Sequence, residues 1–550
     1  MLSRRTFLRA ATIGALGWPH RASSHSVAAS AGEVLYNGIV LGSPWPPRLK
    51  YLDEHPVLPA YLVSPPEIIP IDVGRQLFVD DFLIEESNLQ RVFHRATYHP
   101  SNPVLKPETA WERRSDPNPS AMVFSDGVFF DPDQRVFKMW YMGGYSTQTC
   151  LATSTDGVNW MRPRFDVVAG TNIVNPALRD ASTVWLDLFE KDPRRRYKMA
   201  AFYNDALEMS VSPDGIHWSG AGKTPFVYDR STFFYNPFRN VWGFSLRDIP
   251  SRAHTHSRYR SYWESPTFAV DERWNGVPPV AWVKADSRDF TVPGQSVAAQ
   301  LYNVDCVAYE SFMLGLFSVW RGEYGGREKI CEITLGFSRD GFHWHRPDRG
   351  SFIPVSNDPG SWNWANIQSA GGGCLIVGDH LYFYVSGRQG VPGTNLPGPC
   401  STGLATLRRD GFASMDWSPS GNHPVRQLRG WKEGMLTTRA MRFSGGHLFI
   451  NADLKGGELR AEVLDRQGRV LPAFSREACE PLRTSGTRQP VVWRGASLAS
   501  VAGEPVRFRF TLTAGRLYAF WVTASRQGHS NGYVGAGGPE FTTPIDRAAG

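Results

Sequence analysis

Motifs of several common enzyme classes are missing from this chain. It has no Gly-rich phosphate loop, no Ser-centred nucleophile elbow and no His-Glu-x-x-His helix. Its six cysteines include no C-x-x-C pair or other metal-ligand spacing. These absences argue against a nucleotide enzyme or a metalloprotease. We expect no cofactor and no metal-ligating residues, although a structural divalent cation stays open.

The sequence does not decide whether the six cysteines form disulfides or stay free. Cys306 with Cys331, or Cys374 with Cys400, could form a disulfide within one repeat of the fold. Buried free thiols are the alternative, because free cysteine is among the most buried residue types.

Long apolar runs and a strongly one-sided charge are also missing. The formal net charge is +7, and four of the positive charges are Arg4, Arg5, Arg9 and Arg21. The rest of the chain is too close to neutral for a nucleic-acid footprint. No later segment is apolar for long enough to span a bilayer, so we expect neither a nucleic-acid partner nor a membrane span.

The first residues have the pattern of an export signal. Arg4-Arg5 is followed by a short apolar stretch over residues 10–18, and small residues over 27–31 offer a cleavage site. This pattern predicts a twin-arginine signal peptide over residues 1–31. We therefore expect a periplasmic or secreted protein.

A short phrase recurs along the chain. It reads Ser-x-Asp-Gly-x-x-Trp at 154–160, 212–218 and 338–344, and a weaker copy lies at 408–412. Asp-Gly favours a tight turn, since glycine accepts positive φ and aspartate bonds the local backbone. The first two copies lie roughly 60 residues apart, a period typical of propellers and solenoids.

Strand-like segments precede each copy of the phrase. For the first copy they are residues 121–130, 137–141, 150–154 and 159–162, and similar sets occur in the other repeats. A third repeat without the phrase explains the longer gap before residue 338. High aromatic, Gly and Pro content fits an all-β protein with many turns. We predict an all-β fold whose five four-stranded blades close a five-bladed β-propeller.

Strand spacing divides the chain into domains. The propeller is predicted over residues 116–425, and shorter, regular strand spacing predicts a β-sandwich over 426–527. Residues 32–115 are interpreted as an N-terminal arm with a hairpin that packs on the propeller. Residues 528–550, rich in Gly and Pro, are predicted to be a flexible tail.

Acidic residues stand at or near the start of the predicted inner strands. Converging carboxylates suit glycosidic cleavage, in which one acid protonates the leaving oxygen and another carboxylate attacks the sugar or activates water. The candidates are Asp116, Asp180, Asp229, Glu264, Asp305 and Glu310.

The arrangement resembles the five-bladed propeller glycosidases, glycoside hydrolase families 32 and 43. Ser115-Asp116-Pro117-Asn118-Pro119 is similar to the Asn-Asp-Pro-Asn-Gly nucleophile motif of invertase-type enzymes, with Ser and Pro in place of Asn and Gly. Arg179-Asp180-Ala181 is similar to their Arg-Asp-Pro motif, with Ala for Pro. Trp263-Glu264-Ser265 takes the place of their Glu-Cys motif. A trailing β-sandwich is common to both.

The resemblance implies an exported glycoside hydrolase that acts on an oligo- or polysaccharide. Asp116 would be nucleophile or base, Asp180 would orient the substrate, and Glu264 or Glu310 would be the acid. The predicted substrate-binding residues are Asn118, Arg179, Asp229, Arg230, Asp305, Tyr309, Trp364 and Gln368. Two alternatives stay open: a non-catalytic carbohydrate-binding propeller, and a lyase or phosphorylase on the same scaffold.

Overall fold

A computed structural model describes residues 32–49, 51–248, 258–271, 273–295, 298–418, 432–454 and 456–548. The predicted signal peptide and the predicted boundary at residue 426 lie outside these residues. The described part contains 33 β-strands and one α-helix of four residues, α1 (Ala60–Val63). The all-β prediction is confirmed. No helix among the described residues has the length and apolarity needed to cross a membrane.

The N-terminal region contributes short strands to sheets formed farther along the chain. They are β1 (Ile69–Pro70), β2 (Gln76–Leu77), β3 (Ile84–Ser87), β4 (Gln90–Phe93) and β5 (Thr97–Tyr98).

Three four-stranded antiparallel sheets follow in sequence order. The first contains β6 (Ala121–Asp131), β7 (Val136–Gly143), β8 (Gln148–Ser154) and β9 (Ile173–Asn175). The second contains β10 (Ser182–Leu186), β11 (Tyr197–Tyr203), β12 (Ala206–Ser212) and β13 (Ser219–Lys223). The third contains β14 (Thr232–Asn236), β15 (Val241–Asp248), β16 (Tyr259–Ser265) and β17 (Val280–Lys284).

Two further strand groups complete this part of the chain. The fourth contains β18 (Gln300–Glu310), β19 (Phe312–Tyr324) and β20 (Arg327–Ser338). The fifth contains β21 (Asn366–Ser369), β22 (Leu375–Val377), β23 (His380–Arg388) and β24 (Cys400–Arg408). Its outer edge is completed by β5 from the N-terminal region, which pairs with β24.

Contacts between the five groups run in a closed cycle. β6 contacts β10, β10 contacts β14, β14 contacts β18, and β21 contacts both β20 and β6. The first strand of each group thus faces a common centre. These strands are almost wholly buried, although several of them carry polar residues among the apolar ones.

The repeated phrase forms a turn that its own side chains cap. The hydroxyl of Ser154 accepts a hydrogen bond from Gly157 N at 2.9 Å, and Asp156 Oδ1 accepts one from Val158 N at 2.8 Å. The same bonds recur in the copies at 212–218 and 338–344. Gly157 has φ 74°, a conformation that glycine adopts without strain.

Each turn is held by an aromatic side chain of the preceding group. Trp140 Nε1 of β7 donates to Gly215 O at 2.8 Å. Trp282 Nε1 of β17 donates to Phe342 O at 2.7 Å, and the Tyr384 hydroxyl of β23 donates to Gly157 O. The phrase therefore joins neighbouring groups as well as strands.

Gly215→Ala is expected to lower the free energy of unfolding by about 2–5 kcal/mol, from backbone strain and overpacking together. Gly215 has φ 79°, and an added Cβ would lie 2.5 Å from Trp140 Cζ2. The control is Gly220→Ala in β13, where no atom lies within 4 Å of the Cβ position. Urea unfolding of both variants checks this, and equal stabilities would contradict the role given to the turn.

The C-terminal strands form two sheets around a second hydrophobic core. The strands of these two sheets are β25 (Ala413–Trp417), β26 (Gly434–Thr438), β28 (His447–Asp453), β29 (Leu459–Leu464), β30 (Gly486–Val491), β31 (Arg507–Leu512) and β32 (Gly515–Thr523). Two further strands pair elsewhere: β27 (Met441–Arg442) pairs with β1, and β33 (Tyr533–Val534) pairs with β18. One sheet has the order β30-β28-β32-β25-β4, and the other β29-β31-β26-β3.

These sheets correct two sequence predictions. The N-terminal arm does not simply pack on the first five groups, since β2, β3 and β4 pair with β32, β26 and β25. The segment after residue 528 is not a loose tail, because β33 pairs with β18 and Ser530 is buried. In both cases distant backbone supplies the hydrogen-bond partners, which local composition does not reveal.

Candidate functional site

Buried polar side chains gather where the first strands of the five groups meet. We call them the axial cluster: Ser125, Asp126, Arg179, Arg230, Asn303, Asp305 and Ser369. Asn303 Nδ2 donates to the Ser125 hydroxyl at 3.2 Å and to Asp305 Oδ2 at 3.0 Å. Arg230 Nη2 donates to the same hydroxyl at 3.0 Å, and Ser369 donates to Asp305. These bonds join four of the five groups, and the Asp126–Arg179 pair described next adds the second group.

A bulge in β6 brings two members of the cluster into place. The pairing of β6 with β7 shifts register between Met122 and Gly127, and Ser125 has φ 59°. A left-handed serine inside a strand is strained, and such strain is common at functional sites. Gly127 permits the bulge, because a Cβ there would lie 2.4 Å from Val184 O.

Asp126 is a buried acid with an arginine partner. Arg179 Nη2 donates to Asp126 Oδ2 at 2.7 Å, and both side chains are almost completely buried. Burial raises the pKa of Asp126 to about 6, although Arg179 opposes that rise. Burial likewise raises the pKa of Asp305, and Arg230 opposes it.

The raised pKa of Asp126 gives a pH dependence of stability. Between about pH 4 and 6 the folded protein holds a proton on Asp126 that the unfolded chain has released. The free energy of unfolding therefore falls as pH rises through that window, by about 3 kcal/mol for this group. In Asp126→Asn this contribution should vanish, which thermal unfolding at pH 4–7 checks. A variant that keeps the wild-type pH dependence would contradict it.

A second layer of side chains lies at the same end of the sheets, before the first strands or at the ends of the second strands, and is partly open to solvent. We call Tyr145, Asp180, Asp229, Arg247 and Arg388 the mouth residues. Asp180 directly precedes β10 and Asp229 lies just before β14, and both are half-buried. Asp229 forms an ion pair with Arg247, and the charge of Asp180 acts on Arg247, Arg230 and Arg388.

Two guanidinium groups flank one aromatic ring beneath the mouth. Arg230 lies 3.8 Å and Arg388 lies 5.1 Å from the centroid of Phe124. Arg388 also lies 5.6 Å from the ring of Tyr145. Burial lowers the pKa of Arg230 to about 10, whereas Tyr145 and Asp180 raise the pKa of Arg388 against the effect of burial.

Five predicted site residues belong to these two layers. Asp180 and Asp229 are mouth residues in the sense just defined. Arg179, Arg230 and Asp305 are members of the axial cluster. Gln368 is buried on β21, where its amide donates to Asn366 Oδ1 at 3.1 Å.

Glu264 is placed away from the centre, contrary to the sequence prediction. It lies on β16, the third strand of its sheet, about 10 Å from the first strand at the usual strand spacing. Arg239 Nη1 donates to it at 2.6 Å, and the Tyr262 hydroxyl donates at 2.6 Å. Its carboxylate therefore binds Arg239 and Tyr262 in the outer part of the sheet.

Glu310 and Tyr309 are also corrected by the structure. Both are buried at the far end of β18, and Glu310 is bonded to Arg75, Arg409 and Ser530. Tyr309 donates to Asp410 at 2.6 Å. These contacts tie β18 to the C-terminal sheets, so neither side chain faces the mouth.

The remaining predicted residues lie outside both layers. Asp116 is exposed in the turn before β6 and has no side-chain hydrogen bond among the described residues. Asn118 Oδ1 accepts a bond from Gly398 N at 3.2 Å. Trp364 is buried, and the Arg327 guanidinium lies 5.6 Å from its ring.

Sequence reasoning missed Asp126 and Arg388. Asp126 stands in Ser125-Asp126-Gly127, which interrupts an otherwise apolar strand, and that interruption was the available signal. Nothing local distinguishes Arg388. All six cysteines are buried free thiols, and no group of three His, Cys, Asp or Glu in the described part of the chain is arranged to hold a metal ion.

Comparison with known proteins gives matches among solved structures only. No protein-family model and no curated protein matches the chain. Similar structures include a thermostable family-43 glycoside hydrolase, with 11% identity over 56% of this chain and 98% of that one, TM-score 0.36. An exo-β-1,3-galactanase from Phanerochaete chrysosporium has 10% identity over 76% and 99%, TM-score 0.33.

A fructofuranosidase from Schwanniomyces occidentalis has 12% identity over 75% of this chain and 98% of that one, TM-score 0.36. These proteins are glycoside hydrolases, the class that the sequence resembles. At these identities and scores the likeness transfers no residue role to this chain.

Proposed function

We propose that the protein is a glycoside hydrolase whose five strand groups are the blades of a β-propeller, with the C-terminal sheets as a β-sandwich. The observation that carries the proposal is the pair of half-buried carboxylates, Asp180 and Asp229, which precede adjacent first strands and share the neighbourhood of Arg247. Glycosidic cleavage needs two such carboxyl groups on opposite sides of one bond.

The two carboxyl groups would divide the reaction between them. One protonates the glycosidic oxygen as the bond to the leaving sugar breaks, and the other attacks the anomeric carbon or removes a proton from the attacking water. Positive charge develops on the sugar ring in that transition state. Nearby carboxylates stabilise this charge.

The axial cluster would act as support for this pair. Asp126 holds Arg179, whose Nη1 also donates to Asp180 O at 2.9 Å. Ser125 links Arg230 to Asp305. Because Asp126 and Asp305 are almost completely buried, they are positioning residues, and substrate would contact the mouth residues above them.

The experiment is a reducing-end assay of the wild-type protein on a panel of plant, algal and microbial glycans. We expect new reducing ends from at least one glycan class. Binding of a glycan without any cleavage, measured by calorimetry on the same panel, would make the protein a carbohydrate-binding propeller instead.

Export is part of the same proposal and rests on Arg4-Arg5. The twin arginine is read by an export receptor, so Arg4→Lys with Arg5→Lys should keep the protein in the cytoplasm. Cell fractionation followed by immunoblotting checks this, and normal export of the double variant would contradict it.

A further inference from the structure

We propose that the mouth binds an oxyanion carried by the glycan, the carboxylate of a uronosyl residue or a sulfate ester, between Arg230 and Arg388. The identity of the ligand as a glycan rests on the proposed function. The anion site itself rests on the geometry of the two arginines.

Neither guanidinium forms an ion pair with a carboxylate in the part of the chain that the structure describes. Arg230 is 5% exposed, and its only side-chain hydrogen bond among those residues goes to the Ser125 hydroxyl. Its Nε and Nη1 atoms, and Nε of Arg388, are buried without a hydrogen-bond partner there. A buried cation without a counter-ion is costly.

Other buried arginines of this chain are paired with carboxylates. Arg75 lies 2.7 Å from Asp410, Arg339 lies 2.8 Å from Asp80, and Arg346 lies 2.7 Å from Asp289. Arg260 lacks a carboxylate but donates to three backbone carbonyls and to a serine hydroxyl. Arg230 and Arg388 differ from these arginines because they have no carboxylate partner among the described residues, and both lie beside the ring of Phe124.

The Phe124 ring brings the two cations to one place. Its position beside both guanidiniums supplies cation–π attraction but leaves their N–H groups available. Guanidinium donors match a carboxylate or sulfate through paired hydrogen bonds.

The surroundings limit the charge of the ligand. Asp180 lies near enough to act electrostatically on both arginines, so a dianion such as a phosphate monoester is disfavoured relative to a monoanion. A carboxylate and a sulfate ester each carry one negative charge, and both therefore fit the site.

The test is calorimetric titration of the full-length protein with matched ligands. Glucuronate is compared with glucose, and galactose 6-sulfate with galactose, which separates the two sources of the oxyanion. The variants are Arg388→Gln and Arg230→Gln, and Arg194→Gln is the matched control, since Arg194 is an exposed arginine on a distant turn.

We expect the wild-type protein to bind at least one anionic sugar more tightly than its neutral partner. Arg388→Gln should raise the Kd for that sugar about tenfold to a hundredfold, the usual range for a charge-assisted hydrogen bond. Arg194→Gln should leave it unchanged. If Arg230→Gln does not fold, the half-buried Arg388 still provides the test.

Equal affinity for charged and neutral sugars in the wild-type protein would overturn the proposal, as would an unchanged Kd in Arg388→Gln. Failure of the proposed function looks different. Anion binding without cleavage of any glycan would contradict the proposed hydrolase activity and support the anion site. Cleavage of neutral glycans without anion binding would support the hydrolase activity and contradict the anion site.

Discussion

Replacing Asp180 with Asn should lower kcat/KM for glycan hydrolysis by about a hundredfold to ten-thousandfold, the usual contribution of a catalytic acid or base. Asp180→Asn keeps the size of the side chain and removes its charge and its proton-transfer capacity. The same change at Asp229 should have an effect of similar size. Initial rates on a glycan that the wild-type protein cleaves, with melting temperatures recorded alongside, measure both effects.

The matched control is Asp116→Asn. Asp116 is the exposed acid that motif resemblance favours, and it stands outside both layers of the site. We expect this variant to keep nearly full activity. Full activity in Asp180→Asn together with loss of activity in Asp116→Asn would show that the active site contains Asp116 and not the mouth residues.

Replacing Glu310 with Ala should lower the free energy of unfolding by about 3–5 kcal/mol, the usual cost of removing one partner of a buried ion pair. Glu310 accepts hydrogen bonds from Arg75 N at 3.1 Å and from the Ser530 hydroxyl at 2.6 Å, and it is fully buried. Its loss would leave the cations of Arg75 and Arg409 with fewer counter-charges.

Glu323→Ala is the control for Glu310, because Glu323 is an exposed acid on β19. Its effect on stability should stay within about 0.5 kcal/mol. Denaturant unfolding measures both variants. A Glu310→Ala protein that is as stable as the wild type but inactive would restore the catalytic role that its sequence position had indicated.

The repeat made much of the strand order predictable, because its physical basis is local. Ser154, Asp156 and Gly157 cap their own turn within four residues, so the phrase marks a strand end wherever it occurs. The phrase could not show which neighbouring sheet supplies the side chain that bonds to the turn. The bond from Tyr384 to Gly157 joins residues 227 positions apart.

The sequence could predict the position of a candidate site residue only where that residue lies just before a first strand. Asp180 and Asp229 precede first strands, and the structure places both at the mouth. Glu310 shares a strand with Asp305 but follows it by five residues, which is about 17 Å of extended chain and the opposite face of the sheet. An acidic residue on or near an inner strand is therefore not enough to predict a site residue. Its position along the strand decides at which end of the sheet its side chain lies.

The deeper layer depends on features without a local sequence code. Asp126 reaches the centre through a bulge in β6, and the register shift that makes it is visible only in the pairing with β7. Arg388 meets Phe124 across more than 260 positions of sequence. The pairing of β3 and β4 with C-terminal strands is likewise long-range.

The most direct test of hydrolysis at the mouth is mass spectrometry of the products formed in water enriched in oxygen-18. Each cleavage by the wild-type protein should place one heavy oxygen on the fragment with the new reducing end and none on the leaving fragment, and Asp180→Asn should form the labelled fragment at least a hundredfold more slowly. Unsaturated fragments without heavy oxygen would identify a lyase. Labelled products at an unchanged rate from Asp180→Asn would contradict the assignment of the site.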